Sequence, residues 1–488
     1  MTSSALDAVP RAPQRRVGLT LALLAFAQLI ISIDYNIVYV ALPEIGSVLN
    51  FSEQTLQWVI SAYAVTFGGF LLLGGRACDL FGPRRIFVLG LALYGMSSLL
   101  GGLASSPQVL IASRALQGIG GAFLFPATLT LVSTSFAEGA ERNRAFSVWG
   151  AAGGSGMILG SLLGGLLTQL FGWEAVFFVN VPLAGLALVL AFALIAPDVV
   201  GVVKRKFDLA GALVSTVGIT AVVVALVQGP ESGWTAPVTL FSAAGGIVLL
   251  LAFVVIEKNS ADPLMPLRLF GNRNLGTGMG VTFLYMATMG TLLYFLTVYF
   301  QGVRGYNAFE TGLAYLVPMV AIFVGAMFGG RLATRFGMRA TMVGSLVVGA
   351  IGTVITALSI SPEGSYLALV PGMLILGLGQ GTGYTLMFGA ATVGVDPTEQ
   401  GVGSGMASTS QQVGGAVGLA ILVALANAST DGVTGNAVRA ATVDGLRTAI
   451  LVAAAGIVVT VFVAMNFARP KPPAAPTTTE DVELVASA

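Results

Sequence analysis

Histidine is absent from this 488-residue chain and cysteine occurs once, so neither an imidazole metal centre nor a disulfide framework has the residues it needs. Charged side chains make up only 9% of the sequence and the net charge is +1, which excludes a charged soluble surface and argues against a general nucleic-acid binder. The stretch GxxxxGK[ST] does not occur, so there is no P-loop to bind ATP. The chain is instead 56% hydrophobic, with a mean hydropathy of +0.89. Such a composition belongs in a bilayer. The length would otherwise make about three soluble domains, but repeated membrane helices of about 20 residues account for nearly all of it.

The apolar runs predict fourteen transmembrane helices, near 17–42, 55–75, 86–105, 109–132, 145–170, 174–196, 208–229, 237–257, 275–302, 312–332, 341–360, 366–392, 405–427 and 446–467. They are long, rich in Leu, Ala, Val and Gly, and lack the alternation of a barrel strand, so the fold class is an all-α membrane protein. With both termini in the cytoplasm, nineteen of the 23 Lys and Arg residues fall on the inner side; Arg304, Arg439 and Arg447 are outside and Arg114 is within a span. The positive-inside rule selects that orientation in the cell membrane. The first run is too long for the apolar core of a signal peptide, and Asp34 interrupts it without an A-x-A site, so it is kept as helix 1.

A repeat organises the spans. GGRACDLFGPRR at 74–85 returns 255 positions later as GGRLATRFGMRA at 329–340, each copy joining two apolar runs. LQGIGGA at 116–122 is echoed by GQGTGYT at 379–385. Together they align helices 1–6 with helices 9–14 and predict two pseudo-symmetric six-helix bundles, with helices 7 and 8 as an extra hairpin between them. The domain reading is a cytoplasmic tail at 1–16, a bundle at 17–197, the hairpin with its loops at 198–274, a bundle at 275–468 and a disordered tail at 469–488. The basic loop Lys204, Arg205, Lys206 and the Pro-rich stretch 261–274 flank the hairpin. This is the layout of a carrier.

One acid is placed in the core of a span. Asp34 lies roughly 12 Å below the outer end of helix 1, and Arg114 about 8 Å below the outer end of helix 4, at 1.5 Å per residue. Burying an isolated carboxylate there costs at least about 2.5 kcal/mol, so it must be neutral, paired or wet. A pair between the two would favour the ionised form while burial favours the neutral one, and a carrier can switch between them as its cavity opens. A static ion pair between helices 1 and 4 is the plainer alternative. The second half carries no counterpart: Arg114 aligns with Gly377, and the Asp34 region with ATMGTLL at 287–293.

Several motifs in order resemble those of the major facilitator superfamily, specifically its fourteen-span drug:proton antiporter group. Gly75, Asp79, Gly82, Arg84 and Arg85 resemble the loop 2 to 3 signature, and Arg114, Gln117, Gly118 and Gly120 the helix 4 signature. DYNIVYVALP at 34–43, FGWEAVFFVNVPLAG at 171–185 and GSGMASTSQQVGGAVG at 403–418 resemble stretches of that group, and GMILGSLLGG at 156–165 its antiporter signature. The chain departs from the pattern at Leu80, Ser161 and Glu174, and at Thr334, where the repeat would carry an acid. The resemblance implies that Arg114 and Asp34 couple transport to protons, and that the 74–85 connector gates the cytoplasmic side. From the residues alone, Arg84 and Arg85 would meet lipid phosphate or inner-loop acids, and Asp79 a positive helix N-terminus.

Tyr35, Asn36, Tyr39, Gln117, Tyr285, Met289, Tyr294, Gln380, Tyr384, Gln411 and Gln412 are midspan polar or polarisable residues that suit a cavity for lipophilic, including cationic, guests. Each also has an ordinary use in helix packing. The expectation is a monomeric proton-coupled antiporter with no cofactor beyond the proton, no metal and no nucleic-acid partner, exporting lipophilic drugs by alternating access. A dedicated exporter of one metabolite or antibiotic shares these features, and an uptake carrier is a further alternative. A channel lacks a ring of charges, and an intramembrane enzyme lacks histidine and a second buried acid.

Overall fold

A computed structural model of the chain describes residues 14–467, apart from 52, 57, 199–207, 261, 262, 264, 307, 394, 397, 398, 431, 432 and 434–436. The basic loop Lys204, Arg205, Lys206, the 469–488 tail and most of the 1–16 tail lie outside the described residues. Among the described residues every regular element is helical. The spans are α1 Gln14–Val48, α2 Trp58–Phe81, α3 Pro83–Gly102, α4 Pro107–Ser135, α5 Ala140–Phe171, α6 Ala175–Leu194, α7 Leu209–Ser232 and α8 Pro237–Asn259. They continue as α9 Arg273–Val303, α10 Glu310–Phe336, α11 Met338–Ser359, α12 Tyr366–Thr392, α13 Gln400–Asn427 and α14 Ala437–Ala464. Thirteen are long and apolar enough to cross a membrane; α7 contributes a shorter apolar stretch, Ala210–Leu226.

Both copies of the repeated connector turn on a glycine. Gly82 has φ 95° and Gly337 φ 85°, a left-handed backbone that a side chain would strain, and each joins two helices with a single non-helical residue. Pro83 follows as the first residue of α3, where its missing N–H costs nothing.

Small residues decide which helices approach closely. A Cβ on Gly156 would lie 2.8 Å from the Leu29 carbonyl and one on Gly164 2.8 Å from that of Ile37, so the four-residue glycine stripe of α5 seats directly on α1. Gly118 and Gly121 press α4 against Tyr63 and Phe67 of α2, and Gly120 against Tyr94 of α3. In the later helices Gly381 meets the Ile322 carbonyl of α10, and Gly379 meets α11 at Gly349. The α7–α8 hairpin leans on α2 and α13, with Val223 beside Gly68 and Thr220 beside Gly69. The outward face of α8 shows Phe241, Val248 and Leu251 at 78%, 63% and 64% exposure, a surface suited to hydrocarbon rather than water.

α9 is irregular along its length. Regular helix stops at Thr288, a 3-10 turn covers Met289–Thr291, and a π segment covers Val298–Val303. The 3-10 turn falls within the ATMGTLL stretch that the repeat aligns with Asp34.

Candidate functional site

Asp34 and Arg114 meet. Arg114 Nη1 donates to Asp34 Oδ2 at 2.8 Å, with the side chains 1% and 0% exposed. A buried pair this deep is tolerable only when its remaining lone pairs and protons are also satisfied. Asp34 Oδ1 accepts from Gln117 Nε2 at 2.9 Å and from Asn180 Nδ2 at 2.7 Å. Arg114 donates through Nε to the Val59 carbonyl at 3.0 Å and through Nη1 to Gln117 Oε1 at 2.5 Å, and its guanidinium lies 4.5 Å above the centre of the Tyr63 ring. Gln117 Nε2 also donates to Ser98 Oγ at 2.7 Å.

Five helices therefore converge on one carboxylate: α1 supplies it, α4 the guanidinium and one amide, α6 the second amide, α2 a carbonyl and a ring, and α3 a hydroxyl. Close glycine contacts hold α2, α3 and α4 together around it and seat α1 on α5. Sequence reading found Asp34, Arg114 and Gln117 but missed Asn180, Ser98 and the Val59 carbonyl. The signal for Asn180 was present, since it is the lone amide in the apolar run AVFFVNVPLAG.

The second constellation closes the end of the molecule that carries the repeated connectors. Asp79, in the last turn of α2, accepts from the Gly401 N–H and the Val402 N–H, both at 2.8 Å, so it caps the N-terminus of α13 across 322 residues of sequence. The expected positive helix end is thus that of α13, reached across the interface. Gly75 makes the approach possible, because a Cβ there would lie 2.9 Å from Gly405 Cα and closer still to the Gly401 carbonyl. Gly330, its repeat partner, lies equally close to Asn143 and Ser147 of α5, and its N–H donates to Ser147 Oγ at 2.7 Å. Thr334, at the repeat position of Asp79, accepts from Asn143 Nδ2 at 3.2 Å.

An acid does lie beside Arg84 and Arg85, Asp198, but it meets their backbone and not the guanidinium groups that were expected to find an acid. It accepts from their backbone N–H groups, each at 3.0 Å, and so caps α3, while Arg84 Nη2 donates to the Phe192 carbonyl at 2.8 Å. At the same end Arg268, in the segment joining α8 to α9, pairs with the buried Glu399 at 2.5 Å just before α13. Above these contacts Phe125, Trp149, Tyr384 and Phe388 form a ring cluster, with Trp149 stacked on Tyr384 at 6.2 Å and 4°. It joins α4 and α5 to α12.

The cavity-lining expectations divide. Tyr35, Tyr39 and Tyr294 are 42%, 46% and 45% exposed, and the first two rings are 6.3 Å apart. Asn36 is half-buried and donates to the Met157 carbonyl at 3.3 Å. Gln117, Tyr285 and Met289 are fully buried: Gln117 serves the Asp34 cluster, Tyr285 donates to the Gln380 carbonyl at 2.6 Å, and Gln380 donates to the Met289 carbonyl at 3.1 Å. Tyr384 belongs to the ring cluster, Gln411 points its amide at Met286 Sδ at 3.9 Å, and Gln412 is half-buried beside Gly68.

A helical bundle that spans a membrane, with a buried acid–guanidinium pair and one closed end, defines a multi-pass membrane carrier. The Major Facilitator Superfamily model matches residues 24–419, and the chain belongs to that family of transporters. It is 39% identical to puromycin resistance protein pur8 of Streptomyces alboniger over 89% of this chain and 86% of that one. It is 38% identical to cephamycin export protein CmcT of Amycolatopsis lactamdurans over 84% and 85% of the two chains. Multidrug resistance protein Stp of Mycobacterium tuberculosis is 33% identical over 83% and 75%. Among solved structures, the human organic anion transporter MFSD10 superposes with a TM-score of 0.65 at 15% identity, over 93% of this chain and all of that one. The proton:xylose symporter XylE gives the same score at 14% identity over 92% and 95%. At these identities the structures speak to the fold.

Proposed function

We propose that the chain is a proton-coupled antiporter that exports lipophilic, including cationic, drugs or antibiotics across the cell membrane by alternating access. The observation that carries it is the fully buried Asp34, held by Arg114, Gln117 and Asn180. Removing either member of a buried ion pair costs about 3–5 kcal/mol when nothing else moves. Protonation of Asp34 deprives Arg114 of its counter-charge in the same way, so it must be accompanied by rearrangement of the helices around it. That obligation converts a proton into a conformational step. The relatives named for antibiotic resistance and export support the direction and the substrate class.

The termini lie in the cytoplasm on this reading, as the distribution of Lys and Arg requires. The closed end with the Asp79 cap and the ring cluster is then cytoplasmic, and the exposed Tyr35, Tyr39 and Tyr294 line a cavity open to the outside. On this reading two six-helix bundles, 17–197 and 275–468, rock about a central site, and the hairpin rides beside α2 and α13. Gly75, Asp79, Gly82, Arg84 and Arg85 act as the inner gate. A dedicated exporter of one compound is the second reading, favoured by relatives whose names carry a single antibiotic.

The test uses purified protein in liposomes with a lipophilic cation such as ethidium and a pH-sensitive dye on the opposite side. Substrate movement that drives proton movement the other way supports antiport. Conduction without exchange, or chemical conversion of the compound, overturns it.

A further inference from the structure

Asn180 is fully buried, and while its Nδ2 donates to Asp34 Oδ1 at 2.7 Å, its own Oδ1 accepts no hydrogen bond. A buried amide oxygen without a partner is costly. A half-turn of the amide exchanges its two arms. With Asp34 ionised, that turn would set two acceptor oxygens against each other. With a proton on Asp34 Oδ1 it is the arrangement required, because the new O–H must donate and Nδ2–H can no longer be accommodated.

The neighbouring amide cannot respond in this way. Gln117 Oε1 is held by Arg114 Nη1, and Gln117 Nε2 donates to Ser98 as well as to Asp34, so inversion would turn N–H groups toward the guanidinium. Arg114 offers donors only. The other titratable groups facing the site, Tyr63 from α2, Tyr94 from α3, and Tyr35 and Tyr39 from α1, are phenols and stay neutral near pH 7. From α6, Asn180 is the residue that touches the carboxylate. The hydrogen-bond ladder of α6 is also incomplete there, because Pro182 has no N–H for the Phe178 carbonyl.

We propose that Asn180 is the positioning residue that accommodates the transported proton, its amide inverting when Asp34 is protonated so that α6 responds to the charge state of α1. The inference rests on Asp34 being the proton site. One proton enters from water and forms the Asp34 Oδ1–H bond. The Asn180 Nδ2–H hydrogen bond to that oxygen breaks, and Asn180 Oδ1 accepts the new O–H. No other covalent bond changes.

The experiment is a pH titration of the reconstituted full-length protein, carrying isotope-labelled asparagine, by difference infrared spectroscopy. The protonated carboxyl band of Asp34, identified by its loss in Asp34→Asn, is expected to rise together with a shift of one asparagine amide carbonyl to lower frequency. That amide shift is expected to vanish in Asn180→Leu. A carboxyl band that titrates with no asparagine band following it overturns the proposal. In transport, Asn180→Leu is expected to bind ethidium normally while proton-driven export falls about tenfold and its pH profile moves upward by less than about one unit, because the bond lost from the ionised form is charge-assisted and partly offset by the one lost from the protonated form. A wild-type export rate in that variant also overturns it. If Asp34→Asn itself stays coupled, or no Asp34 carboxyl band appears, the failure belongs to the proton-site reading and not to Asn180.

Discussion

At the residue scale, the proposed coupling rests on one buried pair, Asp34 and Arg114. Asp34→Asn is expected to insert in the membrane, to melt at a lower temperature because it strands the buried Arg114, and to lose substrate-driven proton movement in liposomes, and retained uphill transport would remove the mechanism. Arg114→Ala is expected to lose coupling too and to fold less well, because it leaves a buried carboxylate without its counter-charge. Gly160 makes a different kind of contribution: a Cβ there would collide with the Ile33 carbonyl, one residue before Asp34. Gly160→Val is therefore expected to cost about 1–3 kcal/mol, read as a lowered melting temperature in detergent, and to impair coupling by displacing α1. The two charged residues were legible because charge inside an apolar run is expensive and stands out. Asn180 was harder to see, since a single neutral amide in a helix has many ordinary uses, and only its 2.7 Å contact with Asp34 singles it out.

At the element scale, the closed end is held by helix termini. Asp79 places a carboxylate on the exposed N–H groups of α13, a contact of the kind that contributes about 0.5–2 kcal/mol. Asp79→Asn is expected to shift the population toward opening at that end by about 2- to 30-fold and to slow the cycle, measured by spin-label distances between α2 and α13. Arg268 and Glu399 supply a second tie, and its two halves are unequal. Glu399 is 3% exposed and Arg268 69%, so Arg268→Ala strands a buried acid whereas Glu399→Gln leaves an exposed guanidinium in water. The Arg268 variant should melt at the lower temperature, and the reverse order would sink this account. The repeated connector showed in the sequence that both copies do related work. It did not show that Asp79 reaches across to α13, because a contact between residues 322 positions apart leaves no local mark on either segment.

At the scale of the whole molecule, the sequence repeat does not extend to the buried pair. The position aligned with Arg114 is Gly377, packed on Pro318 and Ala321 of α10, and the stretch of α9 aligned with Asp34 holds the 3-10 turn Met289–Thr291, whose Met289 carbonyl accepts from Gln380. If one proton enters for each neutral molecule leaving, a potential of 100 mV supplies about 2.3 kcal/mol, or roughly a 50-fold accumulation. Exchange of one proton for a monovalent cation moves no net charge, so export of ethidium is expected to respond to a collapsed pH gradient and not to a collapsed membrane potential. Selective ionophores in liposomes separate the two. The run of apolar helices was legible because apolar length is read one segment at a time. The docking of the hairpin on α2 and α13, and which end is shut, were not, because both depend on distant surfaces meeting. The sole sulfhydryl, Cys78, is 1% exposed inside α2. Reporter thiols introduced at either mouth would therefore be read against almost no background, and the native chain can serve as its own template for watching the cycle.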